Sequence, residues 1–395
     1  MRRRTGSRLV TLLAALGLGA CSGGERTIDD YDGEPAYPSQ RGSYEAGGRL
    51  LGFVANRMSD TISVLDLDSM TLLGSAPIGR DPVDVDGPRR VVLDPARRIG
   101  YVALSYPLSV QSVHVAVESG AGPRYGYVQA FSLDDLEPLG EQRVEQSPSE
   151  LSLAPDGGLL VATHYDTLRS IANKDLDKRR AAVALIDPAH GITSGAAPRV
   201  VPVCVVPASV VLSADQTRAF VVCTGEDSLA VVDTVSASVL GYVRAGDLNV
   251  NKPYAMVGDP SGTRLAVSNQ VAATVVLFSA TDSPQLLSTT RVNVGVPSFA
   301  GWLSNDTLAV PSQEPSSVAV IDAGTGMLTR EVAYADSECL NPSEVRRTSD
   351  GRVFMVCEGN HFAPGAVVEL DPASLQVIAR TEVELWPDRL AILEP

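Results

Sequence analysis

The feature that most restricts this chain is a proline that returns at near-constant intervals, each time opening a short apolar run. Pro88, Pro148, Pro207, Pro253, Pro297, Pro342 and Pro387 are separated by 60, 59, 46, 44, 45 and 45 residues. Proline has no N–H to give to a β-ladder, so a fixed position at the start of a strand is where it is tolerated. The segments between prolines repeat in one order. The Pro-led strand is followed by a turn such as Pro155-Asp156-Gly157, Pro260-Ser261-Gly262 or Ser349-Asp350-Gly351. Then come a strand reading like GFVAN, a polar loop, a strand reading like TISVLD, and a last strand ending near Gly. The runs are short, rich in β-branched residues and separated by turn formers, and almost none keeps a helical period. Four strands in about 45 residues is the period of a propeller blade. The sequence therefore predicts an all-β fold, a seven-bladed β-propeller over residues 49–395.

Let the Pro-led strand be A and the next three B, C and D. The first apolar segment, near Leu50 to Ala55, reads as a B strand, and the last, near Arg389 to Leu393, as an A strand. The C-terminal strand is thus expected to complete the blade begun at the N-terminus, which removes exposed sheet edges. The two longer intervals place their surplus in B–C loops, Ser105 to Arg124 and Tyr165 to Arg180. The second is the one stretch that reads as a helical turn or two. Loops of this length inside a compact repeat often carry function.

The repeat units resemble those of the YVTN family of seven-bladed propellers. The residues that carry the likeness are Phe53-Val54-Ala55-Asn56, Thr61-Ile62-Ser63-Val64-Leu65-Asp66, and Ile78-Gly79 before a Pro-led strand. The resemblance spans about residues 49 to 395. It implies the fold and leaves the function open, because such propellers host binding proteins, haem enzymes and lactonases alike.

The first twenty residues read as a lipoprotein signal peptide. Arg2, Arg3, Arg4 and Arg8 form a basic start, and Leu9 to Gly17 is apolar but too short to span a bilayer. Leu18-Gly19-Ala20-Cys21 resembles a lipobox, so Cys21 is the expected lipidation site and the expected link to a membrane. Ser22 follows, which by resemblance to the usual sorting rule implies an outer-membrane lipoprotein, periplasmic or surface-exposed. Residues 21–48, rich in Gly, Ser, Pro, Asp and Glu, read as a flexible tether. The formal charge is −15, and −19 once the four leader arginines are gone, with 28 cations against 47 acids. Such a balance argues against nucleic acid as a partner.

Four cysteines remain. Cys204 and Cys339 each lie three residues before a strand-opening proline, and Cys223 and Cys357 lie 16 and 15 residues after those prolines. Strands A and B are antiparallel neighbours, so the end of B lies beside the start of A. Disulfides Cys204–Cys223 and Cys339–Cys357 are therefore expected, within the fourth and seventh blades, in an oxidising compartment. No CxxC or CxxCH is present, and no Walker loop, GxSxG or HExxH. No cofactor and no metal site is expected. The run DPVDVDG, with Asp81, Asp84 and Asp86, does not have calcium-loop spacing.

Candidate ligand-binding residues are His164 and Asp166 after one B strand, and Glu358, Asn360 and His361 after another. B–C and D–A loops share one face of a propeller, so these side chains would converge on the channel rim. Arg57, Glu226, Asn269, Gln270 and Gln313 occupy like positions in other blades. With no catalytic motif legible, the leading expectation is a non-enzymatic scaffold binding a protein, peptide or glycan, more a binder than an enzyme. The alternatives are a lactonase-type hydrolase at the channel mouth, needing a His or Glu base beside an Arg, and an accessory partner of an envelope redox protein.

Overall fold

The structure is a computed structural model that describes residue 44 and residues 48–79, 85–105, 125–292 and 295–395. Cys21, the leader and most of the tether, Asp81, Asp84, His114 and nearly all of the first long B–C loop lie outside the described residues.

Among the described residues twenty-eight strands, numbered in chain order, form seven four-stranded antiparallel sheets. Blade 1 has the order β28-β1-β2-β3, and blades 2 to 7 run in sequence order from β4 to β27. The innermost strands are β28 (Pro387–Leu393), β4 (Pro88–Asp94), β8 (Pro148–Leu153), β12 (Pro207–Leu212), β16 (Pro253–Gly258), β20 (Gly301–Trp302) and β24 (Pro342–Arg347). Six of the seven periodic prolines open these strands. The chain ends close one sheet, as expected. β28 pairs with β1 (Leu51–Asn56) from Leu51↔Leu393 to Asn56↔Pro387.

The cores lie in the seams between blades. Phe220 from blade 4 and Phe278 from blade 5 share one cluster with Val222, Val231, Met256 and Val267. Phe53, Phe131, Phe220, Phe278 and Phe354 are fully buried, each worth about 1.5–3 kcal/mol relative to exposure. The outermost strands face a neighbour on one side only. In β15 (Ser238–Arg244) exposed residues accordingly alternate with half-buried ones.

The expected disulfides form. Cys204 and Cys223 have Cα atoms 5.8 Å apart, and Cys339 and Cys357 5.2 Å. Their placement differs from the within-blade expectation. Cys204 sits on β11 (Arg199–Val205), the outer strand of blade 3, and Cys223 ends β13 (Arg218–Cys223) of blade 4. Cys339 follows β23 (Met327–Ala333) of blade 6, and Cys357 ends β25 (Val353–Cys357) of blade 7. Each bridge therefore staples one blade to the next. The end of strand B is a seam position throughout. In other blades it holds Asn56, bonded to Thr61 Oγ1 and Ser63 Oγ, and Asn269, bonded to Ala245 O.

The loop Tyr165 to Arg180 carries two short helices, α1 (Thr167–Ala172) and α2 (Leu176–Arg179). A third, α3 (Pro188–Ser194), was not anticipated. Asp187 caps it through the Ala189 and His190 N–H groups, Pro188 starts it, and Gly195 ends it in the left-handed region.

Blade 6 is the irregular one. Its innermost strand is two residues long, and Pro297 makes only an isolated bridge to Ser312. Phe299 instead bridges in parallel to Glu344 of the next blade, with Phe299 N donating to Ser343 O at 2.9 Å and Val345 N to Phe299 O at 3.1 Å. Gly301 makes the approach possible, since a Cβ there would lie 2.5 Å from Val345 O.

Candidate active site at the channel mouth

The innermost strands all start at one face, where the B–C and D–A loops gather, so the first residues after each proline ring the channel near that mouth. Arg89, on β4, is buried. Its Nε donates to Asp388 Oδ2 of β28 at 2.9 Å and its Nη2 to Tyr254 Oη of β16 at 2.9 Å. Burial acts against the Arg89 charge, but Tyr254 and Asp388 outweigh it and hold its pKa above the ordinary value. Burial likewise opposes the Asp388 charge, but Arg389, Arg89 and Arg57 overcome it, so the carboxyl stays ionised far below the usual range. Tyr165 and Phe299 flank Tyr254 edge-on, with ring centroids 5.8 and 5.7 Å away.

A second group stands on Trp386. The His361 ring stacks on the Trp386 ring at 3.8 Å, and the Arg57 guanidinium carbon lies 4.5 Å from the Trp386 centroid. His361 Nε2 is 3.1 Å from Glu358 Oε2, and Glu358 is buried. Among the described residues Arg57 has no carboxylate in hydrogen-bond contact, and its Nε is buried without an acceptor. Burial, then repulsion from Arg89, pushes its pKa down to about 10, so it remains a cation at neutral pH.

The other expected rim residues lie elsewhere. His164 is fully buried inside blade 3, with Nδ1 2.6 Å from Ala182 O on the next strand outward, and burial lowers its pKa. It occupies the seam position described above. Asp166 caps α1 through the Arg169 N–H at 2.8 Å, and burial raises its pKa. Asn360 accepts from the Phe362 and Ala363 N–H groups, forming the turn that presents His361. Glu226 pairs with Arg180, away from the Trp386 group. Among the described residues no three His, Cys, Asp or Glu groups are placed to hold a metal ion.

Sequence reasoning reached Glu358, His361 and Arg57 but missed Arg89, Tyr165, Tyr254, Trp386 and Asp388. The signal was present as polar residues directly beside the periodic prolines, in strands that are otherwise apolar. The long B–C loop of blade 3 delivers Tyr165 to the mouth rather than its neighbours His164 and Asp166. Leu168 of α1 is buried.

No family model and no curated protein sequence matches the chain. Solved structures do. The periplasmic gluconolactonase of Pseudomonas aeruginosa superposes with a TM-score of 0.65 at 16% identity, covering 88% of this chain and 99% of that one. A Bacteroides fragilis protein assigned as a 6-phosphogluconolactonase gives 0.64 at 14%, covering 90% and 99%. The dihydro-haem d1 dehydrogenase NirN gives 0.58 at 14%, covering 90% of this chain and 77% of that one. The chain thus shares the seven-bladed propeller fold of lactonase-like proteins. The expectation of a non-enzymatic scaffold is corrected here, and with it the expectation that the chain is more a binder than an enzyme. The matching folds are repeatedly those of enzymes. Arg57, Glu358 and His361, scattered along the sequence, meet at one mouth.

Proposed function

We propose that this chain is a hydrolase of the lactonase type, acting at the channel mouth. The Glu358–His361 pair and the cation Arg57, both set against Trp386, carry this reading. A carboxylate only accepts hydrogen bonds, so the His361 nitrogen facing Glu358 is the one bearing hydrogen, and Nδ1 keeps the lone pair. His361 Nδ1 takes a proton from water as the water oxygen bonds to the lactone carbonyl carbon. The carbonyl oxygen becomes an oxyanion beside the Arg57 guanidinium, whose unmet Nε–H supplies a donor. The ring C–O bond then breaks, the departing alkoxide takes the proton from His361, and the product is the open hydroxy acid. Trp386 holds His361 and Arg57 in place by stacking.

His361→Ala is expected to lower kcat for lactone opening by about 10²-fold or more, and Arg57→Gln by about 10²-fold. Failure of the wild-type chain to open any aldono- or aliphatic lactone overturns the reading, as does full activity in His361→Ala. In the same reading the protein is an exported YVTN-type lipoprotein of the outer membrane, with residues 1–20 as its leader, lipid on Cys21 and residues 21–48 as tether. The lipobox, the two disulfides and the likeness to a periplasmic enzyme support this. Cys21→Ser is expected to move the protein from the membrane to the soluble fraction. An unchanged distribution overturns the anchor.

A further inference from the structure

The far end of the channel, away from the mouth, holds a separate chamber of about 450 Å³. It is built from the second halves of the innermost strands and opens between the A–B turns at Pro95 and Arg347 and the C-terminal Glu394. Phe299, which touches Tyr254 of the mouth and also lines this chamber, divides the two compartments with Arg389, whose guanidinium carbon lies 3.4 Å from the Phe299 centroid.

The chamber is two-sided. On one side Arg90 reaches both Glu150 (3.1 Å) and Glu344 (2.8 Å), and Arg346 reaches Glu344 (2.7 Å). On the other are Val211, Met256, Val257, Ala391 and Ile392. The buried side-chain atoms on the charged side that lack a hydrogen-bond partner are all guanidinium nitrogens, and the Glu150 carboxylate is held by ion pairs with Arg90 and Arg389. Arg346 Nε is buried with no acceptor, Arg90 Nε lies out of line with Glu150, and Arg389 Nε behind them also lacks one. Glu344 already accepts from Arg90, Arg346 and the Leu390 N–H, so it has little left to offer them. Burial raises the Glu150 pKa, which weakens its hold on Arg90 further. Arg346 lines the chamber with its side chain about a third exposed, so a ligand that brings acceptors can reach its guanidinium.

We propose that this chamber binds a small amphipathic carboxylate, its anionic end on Arg346 and Arg90 and its apolar body against Val211, Met256 and Val257. The site is independent of the mouth, and its occupancy does not require the lactonase reading.

The test is isothermal titration of the full chain with hexanoate and phenylacetate, with hexanamide as the neutral counterpart and inorganic phosphate as a bare anion. One carboxylate per chain is expected, with hexanamide and phosphate each at least about tenfold weaker. Arg346→Gln is expected to weaken hexanoate about tenfold or more, while Arg57→Gln leaves it unchanged. Arg346→Lys, which keeps the charge and removes the Nε–H, is expected to fall between wild type and Arg346→Gln, and stands in if Arg346→Gln does not fold. No carboxylate binding, equal affinity for hexanamide, or loss on Arg57→Gln rather than on Arg346 substitution overturns the proposal.

Discussion

The innermost strands of blades 1 and 6 occupy equivalent places and behave in opposite ways. β28 comes from the far end of the chain yet pairs with β1 along its whole length. β20 directly precedes its blade's other strands in sequence yet keeps only two residues of ladder, Gly301↔Ala309 and Trp302↔Leu308. The difference teaches what each strand is for. Closing the ring needs every ladder bond that β28 can make, because an open blade leaves two sheet edges and two half-empty seams. Once the ring is closed, one inner strand can leave its sheet. Phe299 does so, and its ring divides the channel into a mouth and a chamber. The two strands also meet through Glu344, which accepts the Leu390 N–H of β28 at 2.8 Å and sits opposite Phe299 in the bridge to blade 6.

The comparison breaks most completely if β28 is removed. A chain ending at residue 386 is expected to lose the cooperative fold, seen as loss of the thermal transition. A chain that still melts as one unit would show that closure is dispensable. Next is Glu344→Gln, which leaves Arg90 and Arg346 short of a buried partner. A loss of about 3–5 kcal/mol by urea unfolding is expected, the range for breaking one side of a buried ion pair. Glu150→Gln should cost less, because burial already raises the pKa of Glu150 while the surrounding arginines lower that of Glu344 against the effect of burial.

Gly301→Ala tests blade 6 alone. Its Cβ would drive Phe299's strand off Val345, at a cost of about 1–3 kcal/mol, with a change in Trp302 fluorescence that a remote Gly→Ala change would not give. A pH test concerns Asp388 on β28. Its pKa is depressed in the folded state, so its contribution is present above the unfolded carboxyl pKa of about 3.9 and is lost as pH falls below that value. Asp388→Asn is expected to be less stable at pH 7 and to lose less stability between pH 4 and pH 2, by at most about 1.4 kcal/mol per pH unit for one proton. An acid limb as steep as that of wild type would remove Asp388 from the account.

Much of the fold was legible and little of the site. The prolines gave the blade count and the closure, and equal offsets from them gave both cysteine pairs. Pro297 was misleading as a strand start, because nothing in its neighbourhood announces that Phe299 pairs with the next blade. His164 and His361 looked alike in the sequence, each a histidine after a B strand. One ring lies in a seam against Ala182 O, and the other stands at the mouth on Trp386, 25 residues further along the chain. Arg57 and Glu358 lie in different blades, and no local pattern links them.

The sequence by itself determined the repeat, the seven-fold count and the closure of the ring, because strand alternation and turn chemistry are local and recur with the period. Only the tertiary structure decided which charges share the channel. Arg57, Arg89, Arg90, Arg346 and Arg389 meet Glu150, Glu344, Glu358 and Asp388 there, so a chain of formal charge −15 has more guanidinium than carboxylate along its axis. The physical reason is closure. Residues as far apart as 57 and 386 become neighbours only when the ring is complete, and their energies depend on burial and partners that no local stretch of sequence contains.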